Sequence, residues 1–150
     1  MNIKNNTIHY PRDDIAERRF NMSDSRNLTL LTDLYELTMM QGYFKNHTNP
    51  TVVFDAFFRK NPFDSSYSIA AGLEQAIEYI KDLHFSQEDV DYLRSTKLFD
   101  EDFLEYLLNF HFSGDIYAIP EGTVVFPREP LVKVIAPIME AQLVETALLN

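Results

Sequence analysis

The sequence predicts an α+β domain, and three observations lead there. Residues 34–44, 73–83, 86–95 and 100–110 carry apolar side chains at helical spacing. "TVVFDAFFRK", residues 51–60, is β-branched and aromatic, as strands are. After Gly114 the period changes, and "DIYAIP", "TVVFP" and "LVKVIAP" are short extended runs rather than helices. Strands and helices fall in separate blocks instead of alternating, so a βαβ parallel sheet is not expected.

Taken in order, the first helix begins after Thr32. Asp33 and Glu36 have the spacing of a capping box, with a short acceptor at the N-cap and an acid at N3. Leu34, Leu37, Thr38, Gln41 and Phe44 follow along one face, and the helix should stop near Lys45–Asn46. In the strand, Val52, Phe54, Ala56 and Phe58 share one uniformly apolar side, which should face the core. Val53, Asp55, Phe57 and Arg59 share the mixed side, and "NPFD" ends the run. Leu73, Ala76, Ile77, Ile80 and Leu83 form the next helical stripe. Ser86 with Asp89 makes a second capping box, and Asp100, Glu101 and Asp102 put acids in the first turn of the following helix, where its dipole favours them. Glu121-Gly122 reads as a turn between strands. "IMEAQLVETALLN" reads as one closing helix without Gly, Pro or a basic last turn to stop it. Its apolar residues need cover. Either the chain continues or the helix docks on its own core, and periodicity allows both.

Composition narrows the function. With 45% hydrophobic and 13% aromatic residues, the 150-residue chain can bury a real core. The formal charge of −10 argues against nucleic acid or an anionic membrane as partner, because phosphates would be repelled. No stretch has the length of a membrane span, and the N-terminus lacks the apolar centre of a secretory signal. Zero cysteines exclude disulfides, thiolate nucleophiles and Cys-ligated metals, in keeping with a cytoplasmic protein. Residues 1–26, rich in Asn, Asp and Arg, read as a polar mobile arm, and residues 27–150 as the folded domain.

Chemical motifs are scarce. There is no P-loop, G-x-G-x-x-G, H-E-x-x-H or G-x-S-x-G. The four glycines are scattered singly, so no glycine-rich phosphate cradle exists, and the four histidines lack metal-ligand spacing. On pattern alone Asp33 is a helix cap, Tyr35 a core aromatic and Arg59 a solvated strand-end residue.

Four blocks change that reading. "LTDLYELTMMQGYF", "FDAFFRKNPF", "YSIAAGLEQAIEYI" and "GDIYAIPEGTVVFPREPLVKVIAPIMEAQLVETALLN" resemble, in order and spacing, the N-terminal region of nicotinate phosphoribosyltransferases over Asn27 to Asn150. The resemblance implies an α/β-hammerhead-like N-terminal domain, helices packed on short strands, lacking the α/β barrel that follows in the family and truncated in its last helix. It implies transfer of the phosphoribosyl group of phosphoribosyl pyrophosphate to the ring nitrogen of nicotinate. Pyrophosphate leaves, and nicotinate mononucleotide enters NAD salvage. ATP, through a phosphohistidine, and Mg²⁺ would serve the complete enzyme, a homodimer with a shared active site.

The same resemblance places site residues. Tyr35, in the "T-D-x-Y" block, would stack on the pyridine ring in the neighbouring subunit's site. Arg59, with Lys60 as a weaker neighbour, would lie near the phosphates of phosphoribosyl pyrophosphate across the dimer. Asp33 would cap its helix and turn one oxygen toward the site; it ranks below Tyr35 because its charge repels an anionic ligand. No catalytic residue and no metal ligand is expected within this chain, since the family's histidine would lie beyond Asn150 and His111 does not match its motif. The alternative is a non-catalytic α+β module, an assembly piece or split-gene remnant.

Overall fold

The computed structural model describes residues 27–150; the expected arm at residues 1–26 lies outside them. The architecture is α+β. Helix α1 (Leu34–Lys45) leads into strand β1 (Thr51–Ala56), a short 3-10 turn (Pro62–Asp64) and strand β2 (Ser68–Ile69). Three helices follow: α2 (Leu73–Asp82), α3 (Gln87–Ser95) and α4 (Glu101–Leu108). Strands β3 (Asp115–Ala118), β4 (Val124–Val125) and β5 (Val132–Pro137) come next, then α5 (Ile138–Leu143) and α6 (Glu145–Leu149). The main sheet is antiparallel in the order β1-β5-β3, and β2 pairs with β4 in a second, two-stranded sheet.

The late strand β5 is therefore the centre of the main sheet. Val52 pairs with Ala136 and Phe54 with Val134 on one side, and Ile116 pairs with Val134 on the other. Val134 and Ala136 are buried, and the sheet packs under a core of Met40, Phe103, Leu104, Leu107, Leu143 and Val144. A core of this kind supplies most of the favourable free energy of folding, at about 25 cal/mol per Å² of apolar surface removed from water.

Several expectations hold in detail. Ser86 accepts from the Asp89 N–H, and the Asp89 carboxylate accepts from the Ser86 N–H at 2.8 Å, a complete capping box. Ile80 and Leu83 of the α2 stripe are buried, and Leu73, Ala76 and Ile77 are half-buried.

Others are corrected. The inward face of α1 is Glu36, Leu37 and Met40, with Leu34 and Thr38 outside, so the stripe is rotated from the expected one. An acid thus occupies a core position that hydrophobic periodicity assigns to apolar residues. Strand β1 ends at Ala56, before Arg59; its apolar side holds for Val52 and Ala56, but Phe54 remains 37% exposed over the main sheet. The closing helix is two short helices meeting at Val144. Leu143 and Val144 are fully buried and Leu148 is half-buried, whereas Leu149 is 63% exposed, so most of the apolar run docks on the domain's own core. The Glu121-Gly122 turn does more than reverse the chain. Glu121 Oε1 accepts the N–H groups of Gly72 (2.9 Å) and Glu74 (3.2 Å), satisfying orphan donors at the start of α2.

Candidate functional site

The first turn of α1 is held by an unusual set of contacts. Asp33 occupies the N-cap position with extended backbone, but its side chain makes no cap hydrogen bond. Glu36, at N3, does not reach back to the Asp33 N–H as a capping box requires. Its carboxylate is fully buried and accepts from two hydroxyls instead: Thr32 Oγ1 donates to Oε2, and Thr146 Oγ1, on α6, donates to Oε1 at 2.9 Å. Thr146 Oγ1 also lies 3.2 Å from Asp33 Oδ2 and accepts the Asp33 backbone N–H at 3.3 Å. The expected cap is replaced by a bridge between the two ends of the described chain.

Burial pushes the Glu36 carboxyl above the ordinary glutamate range; the hydroxyls of Thr32 and Thr146 oppose this, and Glu145 adds to it. The Tyr79 phenol, buried nearby without a hydrogen-bond partner among the described residues, is pushed up to about 12 by burial and then by the Glu36 charge. The sign of the pH effect follows from the Glu36 shift. A carboxyl whose folded-state pKa is raised stabilises the fold most when protonated, below its unfolded value, and that contribution is lost as pH rises through the raised folded value. Glu36→Gln stays neutral and can still accept from one hydroxyl and donate to the other. Its melting temperature relative to wild type should therefore be more favourable at pH 8 than at pH 5. A difference that is constant across this range would show that Glu36 carries no such linkage.

Tyr35 stands on the same turn and is 47% exposed, so it is not a core aromatic. Partial burial, then Glu145, Glu36 and Asp33, push its phenol above the ordinary tyrosine range. The half-exposed side chain stands in a negative field. Its ring can stack on a planar heteroaromatic ring. The surrounding carboxylates disfavour an anionic group placed directly among them.

Arg59 is not brought to this turn by any contact among the described residues. It lies beyond β1 at an exposed position, with no ion pair or side-chain hydrogen bond among those residues. The preceding carbonyl of Phe58 accepts from the Arg128 N–H at 2.8 Å, so the backbone before Arg59 is held against the turn preceding β5. Beside the main sheet, a cleft of about 360 Å³ is lined by Val53, Phe54, Ala141 and Leu148, with Asp55 and Glu145 at its polar positions. Asp55 is paired with Lys133 at 2.9 Å. Among the described residues no three His, Cys, Asp or Glu side chains are grouped as metal ligands. The described residues thus offer no such set to Mg²⁺. No helix among them is long and apolar enough to cross a membrane.

Thr146 and the buried role of Glu36 escape sequence reasoning. Thr146 is 110 residues from Glu36 and reads as an ordinary position inside a helix. Glu36 satisfies the capping-box spacing and so carries no sign that it turns inward.

The chain's relatives give this geometry a family. The model of the nicotinate phosphoribosyltransferase (NAPRTase) N-terminal domain matches residues 30–150. Nicotinate phosphoribosyltransferase pncB2 of Mycobacterium tuberculosis is 50% identical over 121 residues, covering 81% of this chain and 26% of the relative. The Bacillus subtilis nicotinate phosphoribosyltransferase is 44% identical over 125 residues, covering 83% and 26%. The crystal structure of human nicotinic acid phosphoribosyltransferase superimposes with a TM-score of 0.70 at 34% identity, over 78% of this chain and 24% of that one. The chain thus spans about a quarter of the length of these relatives. With a shared α+β fold and a family match from Leu30 to Asn150, the chain belongs to the nicotinate phosphoribosyltransferase family and carries its N-terminal domain.

Proposed function

We propose that this chain supplies the nicotinate-facing part of a nicotinate phosphoribosyltransferase active site, formed in the complete protein and shared across a homodimer. The reading is supported by the half-exposed ring of Tyr35, displayed on a helix turn fixed by Glu36 and Thr146. In this reading the Tyr35 face holds the pyridine ring while its nitrogen attacks C1 of phosphoribosyl pyrophosphate and pyrophosphate departs. Arg59 contributes a guanidinium to the phosphates, for which its planar fork is suited. Asp33 lies at the margin, engaged with Thr146 rather than with the ligand. ATP and Mg²⁺ supply the driving force and the charge neutralisation of the pyrophosphate, and the residues that hold them belong to the rest of the enzyme. The product would enter NAD salvage in the cytoplasm.

Kinetics of the full-length enzyme test the proposal. Tyr35→Ala should weaken nicotinate use by about 0.5–1.5 kcal/mol beyond simple area loss, with Tyr35→Phe mild. An unchanged nicotinate KM and kcat with a melting temperature several degrees lower would make Tyr35 purely structural. Arg59→Lys keeps the charge but loses the fork, and should raise the KM for phosphoribosyl pyrophosphate, with Arg59→Ala raising it further. Identical kinetics for all three proteins at low ionic strength would remove Arg59 from the site.

A further inference from the structure

Asp33 and Glu36, on either side of Tyr35 in the first turn of α1, are both tied to one hydroxyl. Thr146 Oγ1 accepts the Asp33 N–H, donates to buried Glu36, and lies within reach of the Asp33 carboxylate. Thr32 donates to the other oxygen of Glu36. Tyr35 accepts from Thr38 Oγ1 through its backbone carbonyl, at 3.1 Å. Among the described residues its phenol makes no hydrogen bond, so the ring's direction is inherited from the turn. A hydroxyl has a single proton and cannot fully serve two carboxylates. Buried Glu36, at the shorter distance, is the acceptor that most needs it, because an unpartnered buried carboxylate is costly. The turn is therefore tied by hydrogen bonds to α6, which joins the core through Val144.

We propose that Thr146 is a positioning residue for Tyr35: its hydroxyl, through Glu36 and the Asp33 N–H, sets the angle at which the ring meets a planar ligand. The inference rests on the reading of Tyr35 as the pyridine-stacking residue. It adds that α6 governs nicotinate recognition without touching nicotinate. A stacked pair depends on ring offset and tilt, so a turn released from α6 loses affinity for the ring while leaving phosphate contacts alone.

The test uses the full-length enzyme. Thr146→Val removes the hydroxyl at nearly constant volume, and should raise the nicotinate KM about three- to tenfold, the size of one lost stacking interaction. The KM for phosphoribosyl pyrophosphate should move by less than about twofold, and Thr146→Ser should restore nicotinate use. In a Tyr35→Ala background Thr146→Val should add almost nothing, since contributions that act through one group are not additive. Should the valine variant fail to fold, Thr146→Cys, of similar size and with a weaker donor, carries the same comparison. The proposal is overturned if removing the hydroxyl raises both KM values together, or multiplies the nicotinate KM equally with and without the Tyr35 ring. If Tyr35→Ala alone leaves the nicotinate KM unmoved, the stacking role itself falls, and this proposal with it.

Discussion

Phe103→Ala should destabilise the protein by about 3–5 kcal/mol, the range for removing a fully buried aromatic side chain. Phe103 has no exposed surface, and its ring centroid lies 5.7 Å from Phe44, 5.9 Å from Phe99 and 6.2 Å from Tyr106. The ring joins α4 to α1, and α1 carries Tyr35 on its first turn. Truncation would leave a cavity bounded by aromatic rings that cannot all shift into it, so both the transfer and cavity contributions apply. Phe103→Leu, which keeps most of the volume, should cost less than half as much. Urea unfolding followed by far-UV circular dichroism measures both. A loss below about 1.5 kcal/mol for the alanine variant would mean that the α1–α4 contact is not a main support of the fold.

Gly114→Ala should cost about 1–3 kcal/mol despite adding a single methyl group. The reason is space rather than backbone angle. A Cβ at Gly114 would fall 2.4 Å from the Ala136 Cβ, 2.8 Å from the Ile135 carbonyl oxygen and 2.9 Å from Phe112 Cζ. Two of these atoms belong to the central strand β5, so relief requires moving backbone or the start of β3. The companion substitution Ala136→Gly removes the nearest atom and should recover part of the loss in Gly114→Ala, a coupling that a double-mutant cycle reads directly. Thermal melts of the four proteins test this. Wild-type stability in Gly114→Ala would show that β3 can part from β5 at no cost.

How far the sequence anticipates the structure depends on the range of the interaction. The Ser86–Asp89 box is local, spans one turn and forms as expected. The α2 stripe depends only on spacing within one helix and is right. Strands β1, β3, β4 and β5 are legible from their β-branched runs, but the two-residue β2 is not, and neither is the strand order: β5 inserts between β1 and β3 through long-range register that no local pattern encodes. The rotation of α1 fails for a similar reason. Leu34 looks more suited to the core than Glu36, yet hydroxyls from Thr32 and distant Thr146 make the acid tolerable inside and leave Leu34 outside. Tyr35 could not be separated from a core aromatic by pattern; only the family resemblance gave it a ligand-facing role, and its exposure excludes a place in the core. The Glu121 cap joins two segments about fifty residues apart, where sequence shows only a turn.

The central place of β5 also governs the order in which the chain can fold. Strand β1 is made early, but its hydrogen-bonding partner β5 is the last of the described strands to be synthesised. At ~5–20 residues per second, β1 waits several seconds on the ribosome before residues 132–137 emerge. Helices α3 and α4 pack on each other through local contacts and can assemble in that interval, whereas the β1 partnership must close a long loop. Meanwhile Val53 and Phe54, still partly exposed in the finished fold, lie on a strand with both edges open. Such a strand is a template for pairing with another chain. Nascent-chain crowding and slow translation between residues 57 and 131 should therefore favour intermolecular β1 contacts, and chaperone capture at this strand would protect the fold until β5 arrives.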